Sequence, residues 1–173
     1  PGDISSPDQI YAIDMTGATT AHDYGATGAG IKIGIIDTGV DIDNTVFSGT
    51  GVSDTTGFPN EKVVAGYDFV GDDFNADPSM PSYNPVPTPD ENPDDCGGHG
   101  SHVAGTAAGN DTASEFKGVA PDALLGAYRV FGCEGSTDSD IMLQAMERAA
   151  ADGMDVVNMS IGAAGMTWPN YPT

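Results

Sequence analysis

Short apolar runs separated by longer polar stretches predict a chain of strands and helices. Runs of strand length lie at residues 31–36 (IKIGII), 63–70 (VVAGYDFV), 123–131 (ALLGAYRVF) and 154–161 (MDVVNMSI). The first run is almost continuously apolar and β-branched, which is typical of a strand buried on both faces, as in a parallel sheet.

Two longer helices are predicted between these runs. Residues 99–108 (HGSHVAGTAA) are small, which allows neighbouring backbone to approach closely. A capping-box-like start at residues 137–140 (TDSD) precedes apolar positions at helical spacing, and Gly153 ends the second helix. A shorter helical stretch is predicted at residues 19–24. Strand, helix, strand in this order predicts a right-handed crossover in a mostly parallel α/β sheet.

Residues 54–98 are rich in Pro, Gly, Asp and Asn, and predict a long surface excursion, with the 63–70 strand inside it. So long a loop inside a compact domain is unusual unless it is functional. No internal repeat and no clear linker divides the chain, so we expect residues 1–173 to belong to one domain.

The charge of the chain excludes some partners. There are 26 acidic and 5 basic residues, a net charge of −21. Such a surface repels nucleic acid and anionic membranes, so neither is expected as a partner. It suits a cationic substrate, bound calcium, or solubility in an extracellular or salty medium. No run approaches the roughly 20 apolar residues of a membrane-spanning helix, and we expect any secretory leader to have been removed.

Two polar residues stand where chemistry is expected. Asp37 directly follows the buried strand at residues 31–36, where ligands bind in parallel sheets. His99 opens the small-residue helix between glycines. A helix N-terminus favours the neutral ring, which can accept a proton. Taken singly, Asp37 could instead form a turn and His99 could cap the helix.

Other candidates are weaker. His102 could pair with His99 on zinc, but the pattern His-Glu-x-x-His is absent, so we expect a buried structural histidine. Ser160 lacks the Gly-x-Ser-x-Gly elbow of an exposed nucleophile and is expected to line a pocket. Cys96 and Cys133 either pair or stay free thiols, and the pairing is favoured. Asn110 begins a triplet that can accept N-glycosylation.

Several motifs together resemble the subtilisin-like serine proteases, the subtilases. These are residues 35–41 (IIDTGVD), 98–105 (GHGSHVAG), 118–121 (GVAP), 128–132 (YRVFG) and 156–162 (VVNMSIG). The resemblance implies a three-layer sandwich with a mostly parallel central sheet, incomplete in this chain. It implies a secreted, zymogen-derived endopeptidase that acts on proteins or peptides through an Asp-His-Ser triad.

The resemblance also implies residue roles. Asp37 would orient His99, and His99 would be the general base and then the general acid. The substrate backbone would add as a strand to Gly135, Ser136 and Thr137 on one side, and to Ser160, Ile161 and Gly162 on the other. Cysteines at the positions of Cys96 and Cys133 resemble those of disulfide-bonded relatives. No cofactor is required, and structural calcium is expected without named ligands.

The sequence also departs from the family pattern. Ser101 replaces the usual Thr of the His motif, and the calcium loop of bacterial subtilisins is not matched at residues 109–117. The Gly-Thr-Ser-Met-Ala nucleophile motif is absent from the printed sequence. We therefore expect this chain to be inactive alone and to need a C-terminal fragment of the same precursor that carries the serine. The long insert resembles larger subtilases with a protease-associated domain.

The sequence disfavours three rival functions. An inactive homologue that binds peptides is disfavoured because Asp37 and His99 are both present. Phosphotransfer enzymes with a strand-end aspartate often carry a second Asp two residues later, where this chain has Gly39. A dinucleotide-binding site needs its glycines after a strand, and Gly28 and Gly30 precede one.

Overall fold

A four-stranded parallel sheet forms the centre of the molecule. The structure, a computed structural model, describes residues 9–54 and 56–162. The sheet has the order β2-β5-β1-β6 and consists of β1 (Lys32–Asp37), β2 (Val63–Asp68), β5 (Leu124–Arg129) and β6 (Val156–Asn158). A separate antiparallel pair joins β3 (Asn110–Asp111) and β4 (Phe116–Lys117). The helices are α1 (Gln9–Thr16), α2 (Ala18–Asp23), α3 (His99–Ala108) and α4 (Ser139–Ala151).

The sheet is covered on both faces, as the continuous apolar run in β1 predicts. Successive β1 side chains point to opposite faces, so Ile35 and Ile36 belong to different buried clusters. The Ile35 cluster contains alanines of α3, and the Ile36 cluster contains alanines of α4. Helix, sheet and helix therefore form three layers, and the predicted α/β fold with a mostly parallel sheet is confirmed.

The strand register places the segments that follow β5 and β6 at the same end of the sheet as Asp37. Asp37, the last residue of β1, lies opposite Arg129, the last residue of β5. On the other side of β1, Ile35 lies opposite Asn158, the last residue of β6. The segments that follow β5 and β6 therefore leave the sheet on either side of Asp37.

The predicted elements differ from the observed ones mainly at their ends. Helix α3 covers the predicted residues 99–108. Helix α4 begins at Ser139, but its N-cap residue Asp138 makes no side-chain capping bond. The run at residues 154–161 contains only the short strand β6, because few of its residues pair with β1.

Strand β6 lies at one edge of the sheet among the described residues. Val156 and Val157 are 54% and 40% exposed there. None of the described helices is long and apolar enough to cross a membrane. The predicted domain of residues 1–173 extends beyond the described residues at both ends.

Candidate active site

Asp37 and His99 meet at the end of the sheet that holds the carboxyl ends of its parallel strands. Asp37 Oδ1 lies 2.7 Å from His99 Nδ1 and accepts a second hydrogen bond, of 2.8 Å, from the Thr38 amide. The Asp37 side chain is 1% exposed, whereas that of His99 is 58% exposed. A buried carboxylate thus contacts one nitrogen of an imidazole that is open to solvent.

A close approach of two backbone segments brings this pair together. A Cβ atom on Gly100 would overlap the carbonyl oxygen of Gly39, so only glycine lets α3 begin so near the end of β1. The Gly100 amide then donates a 2.8 Å hydrogen bond to Thr38 Oγ1. The small residues of α3 predict a close approach of neighbouring backbone, and this contact between Gly100 and Gly39 is one place where it occurs.

Asp95 organises the turn that precedes α3, a role the sequence analysis missed. Its Oδ1 accepts bonds of 2.8 Å from the amides of Gly97 and Gly98, and its Oδ2 accepts the amide and hydroxyl of Ser101. The Thr38 hydroxyl also donates to Asp95 Oδ1, over 2.9 Å. One carboxylate therefore joins the start of α3 to the residue after Asp37.

The Asp37 carboxylate keeps one atom without a partner. Its Oδ2 is buried and accepts no hydrogen bond from the described residues. An unpaired carboxylate oxygen in such surroundings is costly. The Asp37 carboxylate is therefore held by the two hydrogen bonds that its Oδ1 accepts, from His99 Nδ1 and from the Thr38 amide.

Arg129 connects the ends of two strands to the segment before His99. Its side chain is 4% exposed. Nη1 lies 3.2 Å from Asp68 Oδ2 and 2.8 Å from Asp72 Oδ1, and it donates a hydrogen bond to the Asp94 carbonyl. Burial raises the pKa of Asp68, and hydrogen bonds from the amides of Gly71 and Val70 oppose that shift.

The disulfide lies beside this arginine. Cys96 and Cys133 are bonded across 37 positions of the sequence, which is the pairing that the resemblance implies. Arg129 Nη2 donates to Cys96 Sγ over 3.0 Å. The bridge ties the segment three residues before His99 to the segment that leads into Gly135.

The residues expected to pair with substrate lie on both sides of Asp37. Gly135, Ser136 and Thr137 follow β5, and residues 160–162 follow β6, so the parallel register sends both segments to the carboxyl edge. Ser160 and Gly162 are exposed, and Ile161 is half-buried against the α4 side of the core. The structure thus gives these segments an open position, and their role stays a prediction.

Two expectations about side-chain surroundings change. His102 lies in α3 and is exposed, so the prediction of a buried structural histidine is wrong. Asn110 is half-buried and its amide donates to the Pro121 carbonyl over 3.3 Å. That contact disfavours attachment of a glycan at Asn110.

One cluster of side-chain ligand atoms lies near the disulfide, and its chemistry does not suit calcium. The one group of three side-chain ligand atoms found among the described residues consists of Asp72, Cys96 and Cys133. The two sulfurs are bonded to each other, and calcium prefers oxygen ligands.

A separate depression of about 570 Å³ is lined partly by Asp41, Asp43 and Asp94. Burial raises the pKa of Asp94, and the negative charges of Asp41 and Asp43 add to that shift.

The site and the fold together define a class. A three-layer α/β protein binds ligands at the carboxyl ends of its strands, and the pair found there has the geometry of a base and its orienting carboxylate. The family model described as "Subtilase family" matches residues 28–173. The chain belongs to the subtilase family.

Curated relatives are similar over most of this chain. The minor extracellular protease Vpr of Bacillus subtilis is 41% identical over 161 residues, which are 92% of this chain and 17% of Vpr. Subtilisin DY of Bacillus licheniformis is 33% identical over 88% of this chain and 44% of its own length. Subtilisin Savinase of Lederbergia lenta is 33% identical over 88% of this chain and 45% of its own length. The chain therefore spans less than half the length of these relatives.

Proposed function

We propose that this chain provides the aspartate and histidine of a serine endopeptidase that hydrolyses peptide bonds. One observation carries the proposal: the buried Asp37 carboxylate contacts Nδ1 of the exposed His99 ring at 2.7 Å. Membership of the subtilase family supports it, since the triad order Asp, His, Ser is that of subtilisins.

The geometry supports specific roles for the two side chains. Asp37 accepts a hydrogen bond from the protonated Nδ1 of His99, which leaves the unprotonated Nε2 to take the proton of a serine hydroxyl. The serine oxygen then attacks the peptide carbonyl, and the imidazolium that forms is stabilised by the Asp37 carboxylate. His99 gives the proton to the leaving amine, and the same cycle with water releases the acyl group.

The serine belongs to another part of the proposed enzyme. The printed sequence lacks the Gly-Thr-Ser-Met-Ala motif, and loss of the nucleophile costs a subtilisin about a millionfold in turnover. We propose that this chain is inactive alone, and that a C-terminal fragment of the same precursor supplies the serine. The exposed Val156 and Val157 of edge strand β6 offer a surface against which such a fragment packs.

Protein or peptide substrates bind in extended form under this proposal. The substrate backbone pairs with residues 135–137 on one side and with residues 160–162 on the other, by strand addition. Catalysis itself needs no cofactor. A structural calcium ion stays a prediction, with no ligands named.

Secretion is part of the same proposal. Vpr is named as an extracellular protease, and the disulfide of this chain is typical of oxidising compartments. The many acidic residues suit such a medium.

Labelling with a fluorophosphonate probe tests the proposed function. The purified protein should contain a serine-bearing segment in a denaturing mass spectrum, and that segment should be labelled. His99→Ala should abolish labelling, whereas His22→Ala, at a histidine whose Nε2 contacts the Val119 carbonyl instead, should leave it unchanged. Absence of labelling with an intact Asp37–His99 pair would favour the alternative, an inactive homologue that binds peptides.

A further inference from the structure

The insert between β2 and α3 reaches back to the segment expected to bind substrate. Asn75 is 1% exposed, and its Oδ1 accepts a 3.1 Å hydrogen bond from the Ser136 amide. The next residue, Ala76, donates its amide to the Ser136 carbonyl over 3.0 Å. Both backbone groups of Ser136 are therefore bonded to the insert.

Asn75 is itself held in place from several directions. Its backbone exchanges two hydrogen bonds with Asn84, of 2.9 and 3.0 Å. Its Nδ2 donates to Ser82 Oγ over 3.0 Å, and its Oδ1 also accepts the Asp77 amide. Residues 84, 75–76 and 136 thus lie side by side and are joined by hydrogen bonds.

The residues on either side of Ser136 differ from it in their hydrogen bonding. The backbone groups of Gly135 and Thr137 have no hydrogen-bond partner within residues 9–54 and 56–162. They are therefore available to a peptide strand that adds beside this segment.

Gly135 permits this arrangement. Its φ of 98° lies in the left-handed region, which favours glycine. A Cβ atom on Gly135 would overlap the amide group of Asn75, so the side chain of Asn75 occupies the space that glycine leaves.

We propose that Asn75 is a positioning residue for the substrate backbone: it holds Ser136 so that Gly135 and Thr137 present a fixed edge to an extended peptide. The proposal rests on the proposed endopeptidase function, and it gives the long insert a role. Asn75 acts through Ser136 and touches no reacting atom.

The test is kinetic and uses the full-length, serine-bearing protease. A series of peptides extended stepwise on the N-terminal side of one scissile bond is compared in wild type and Asn75→Ala. Wild type should gain kcat/KM as the peptide lengthens. On the long peptides, kcat/KM of Asn75→Ala should be about tenfold below that of wild type, which is the effect of one or two backbone hydrogen bonds. On the shortest substrate, the two proteins should have the same kcat/KM.

Two further variants separate positioning from general damage. Ser82→Ala removes only the hydroxyl that accepts from Asn75 Nδ2, and should lose about twofold on long peptides. Asn92→Ala is the matched control, because that exposed side chain lies in the same insert and has no hydrogen bond among the described residues. It should behave as wild type.

The outcomes distinguish the two proposals. If wild type is active but Asn75→Ala loses equally on short and long peptides, or loses nothing, the positioning role is wrong. If Asn75→Ala does not fold, Ser82→Ala decides by the same comparison of peptide lengths. If wild type neither cleaves peptides nor reacts with the fluorophosphonate, the proposed function fails, and the positioning role falls with it.

Discussion

The Thr38 hydroxyl donates a 2.9 Å hydrogen bond to Asp95, and this bond joins the residue after Asp37 to the turn before His99. The same hydroxyl accepts the Gly100 amide, so Thr38 links both sides of the site. The distance between the carboxylate and the imidazole is thereby set by groups that take no part in proton transfer.

Replacing Asp95 by alanine should weaken both the fold and the site. The amides of Gly97, Gly98 and Ser101 would lose their acceptor, and we expect the free energy of unfolding to fall by about 2 kcal/mol. Urea unfolding measures this, and the peptidase rate of the full-length protease should fall with it. Asp138→Ala is the control, since that N-cap residue makes no side-chain capping bond. An equal effect of the two substitutions would contradict the assigned role of Asp95.

Replacing Asp37 by asparagine should remove most activity while keeping the shape of the site. An amide nitrogen facing His99 Nδ1 would donate to it and favour the ring tautomer whose Nε2 carries the proton, which cannot act as a base. Turnover by the full-length protease should fall by about 10⁴-fold, a figure that comes from other serine proteases. Steady-state kinetics on one peptide measures the loss. The control is Asp23→Asn, at an exposed position of α2, which should have the wild-type rate. If Asp37→Asn keeps activity within tenfold of wild type, Asp37 is not a member of a catalytic triad.

The fold could be predicted from sequence because its core strands are continuous apolar runs. Asp37 and His99 became candidates because each stands at the end of a predicted element, and the resemblance to subtilases implied their roles. Asp95 and Asn75 were missed since their partners Thr38 and Ser136 lie 57 and 61 positions away. Asp95 did carry a local signal, as an aspartate two residues before a pair of glycines. His102 was expected to be a buried structural histidine once a zinc site was disfavoured, but only one face of α3 packs on the sheet and His102 lies outside it.

Removal of the disulfide should destabilise the chain substantially. The bridge spans 37 positions, and the entropy of closing such a loop corresponds to about 4 kcal/mol. We expect the double replacement of Cys96 and Cys133 by serine to lower the free energy of unfolding by up to that amount in urea titrations. Adding a reductant to wild type should have a similar effect, and adding it to the double variant should have none. A loss below about 1 kcal/mol would show that other contacts, such as those of Arg129, fix these segments without the bridge.

Lys62 should make stability depend on pH in the alkaline range. The side chain is 7% exposed, its Nζ donates to the carbonyls of Pro121 and Ala123, and desolvation lowers its pKa to about 8, against a smaller raising effect of Asp122. Between pH 8 and about 10.4, its ordinary value, the unfolded chain therefore binds a proton that the folded chain has released.

Stability attributable to Lys62 consequently rises with pH across that window, by an amount of order 3 kcal/mol. The neutral amine still has two N–H groups, enough for both carbonyls. Urea midpoints measured from pH 7.5 to 10.5 should rise in wild type relative to Lys62→Met, and Lys117→Met, at an exposed lysine, should follow wild type. Parallel pH profiles for wild type and Lys62→Met would mean that the ammonium group is solvated well enough to keep its usual proton affinity.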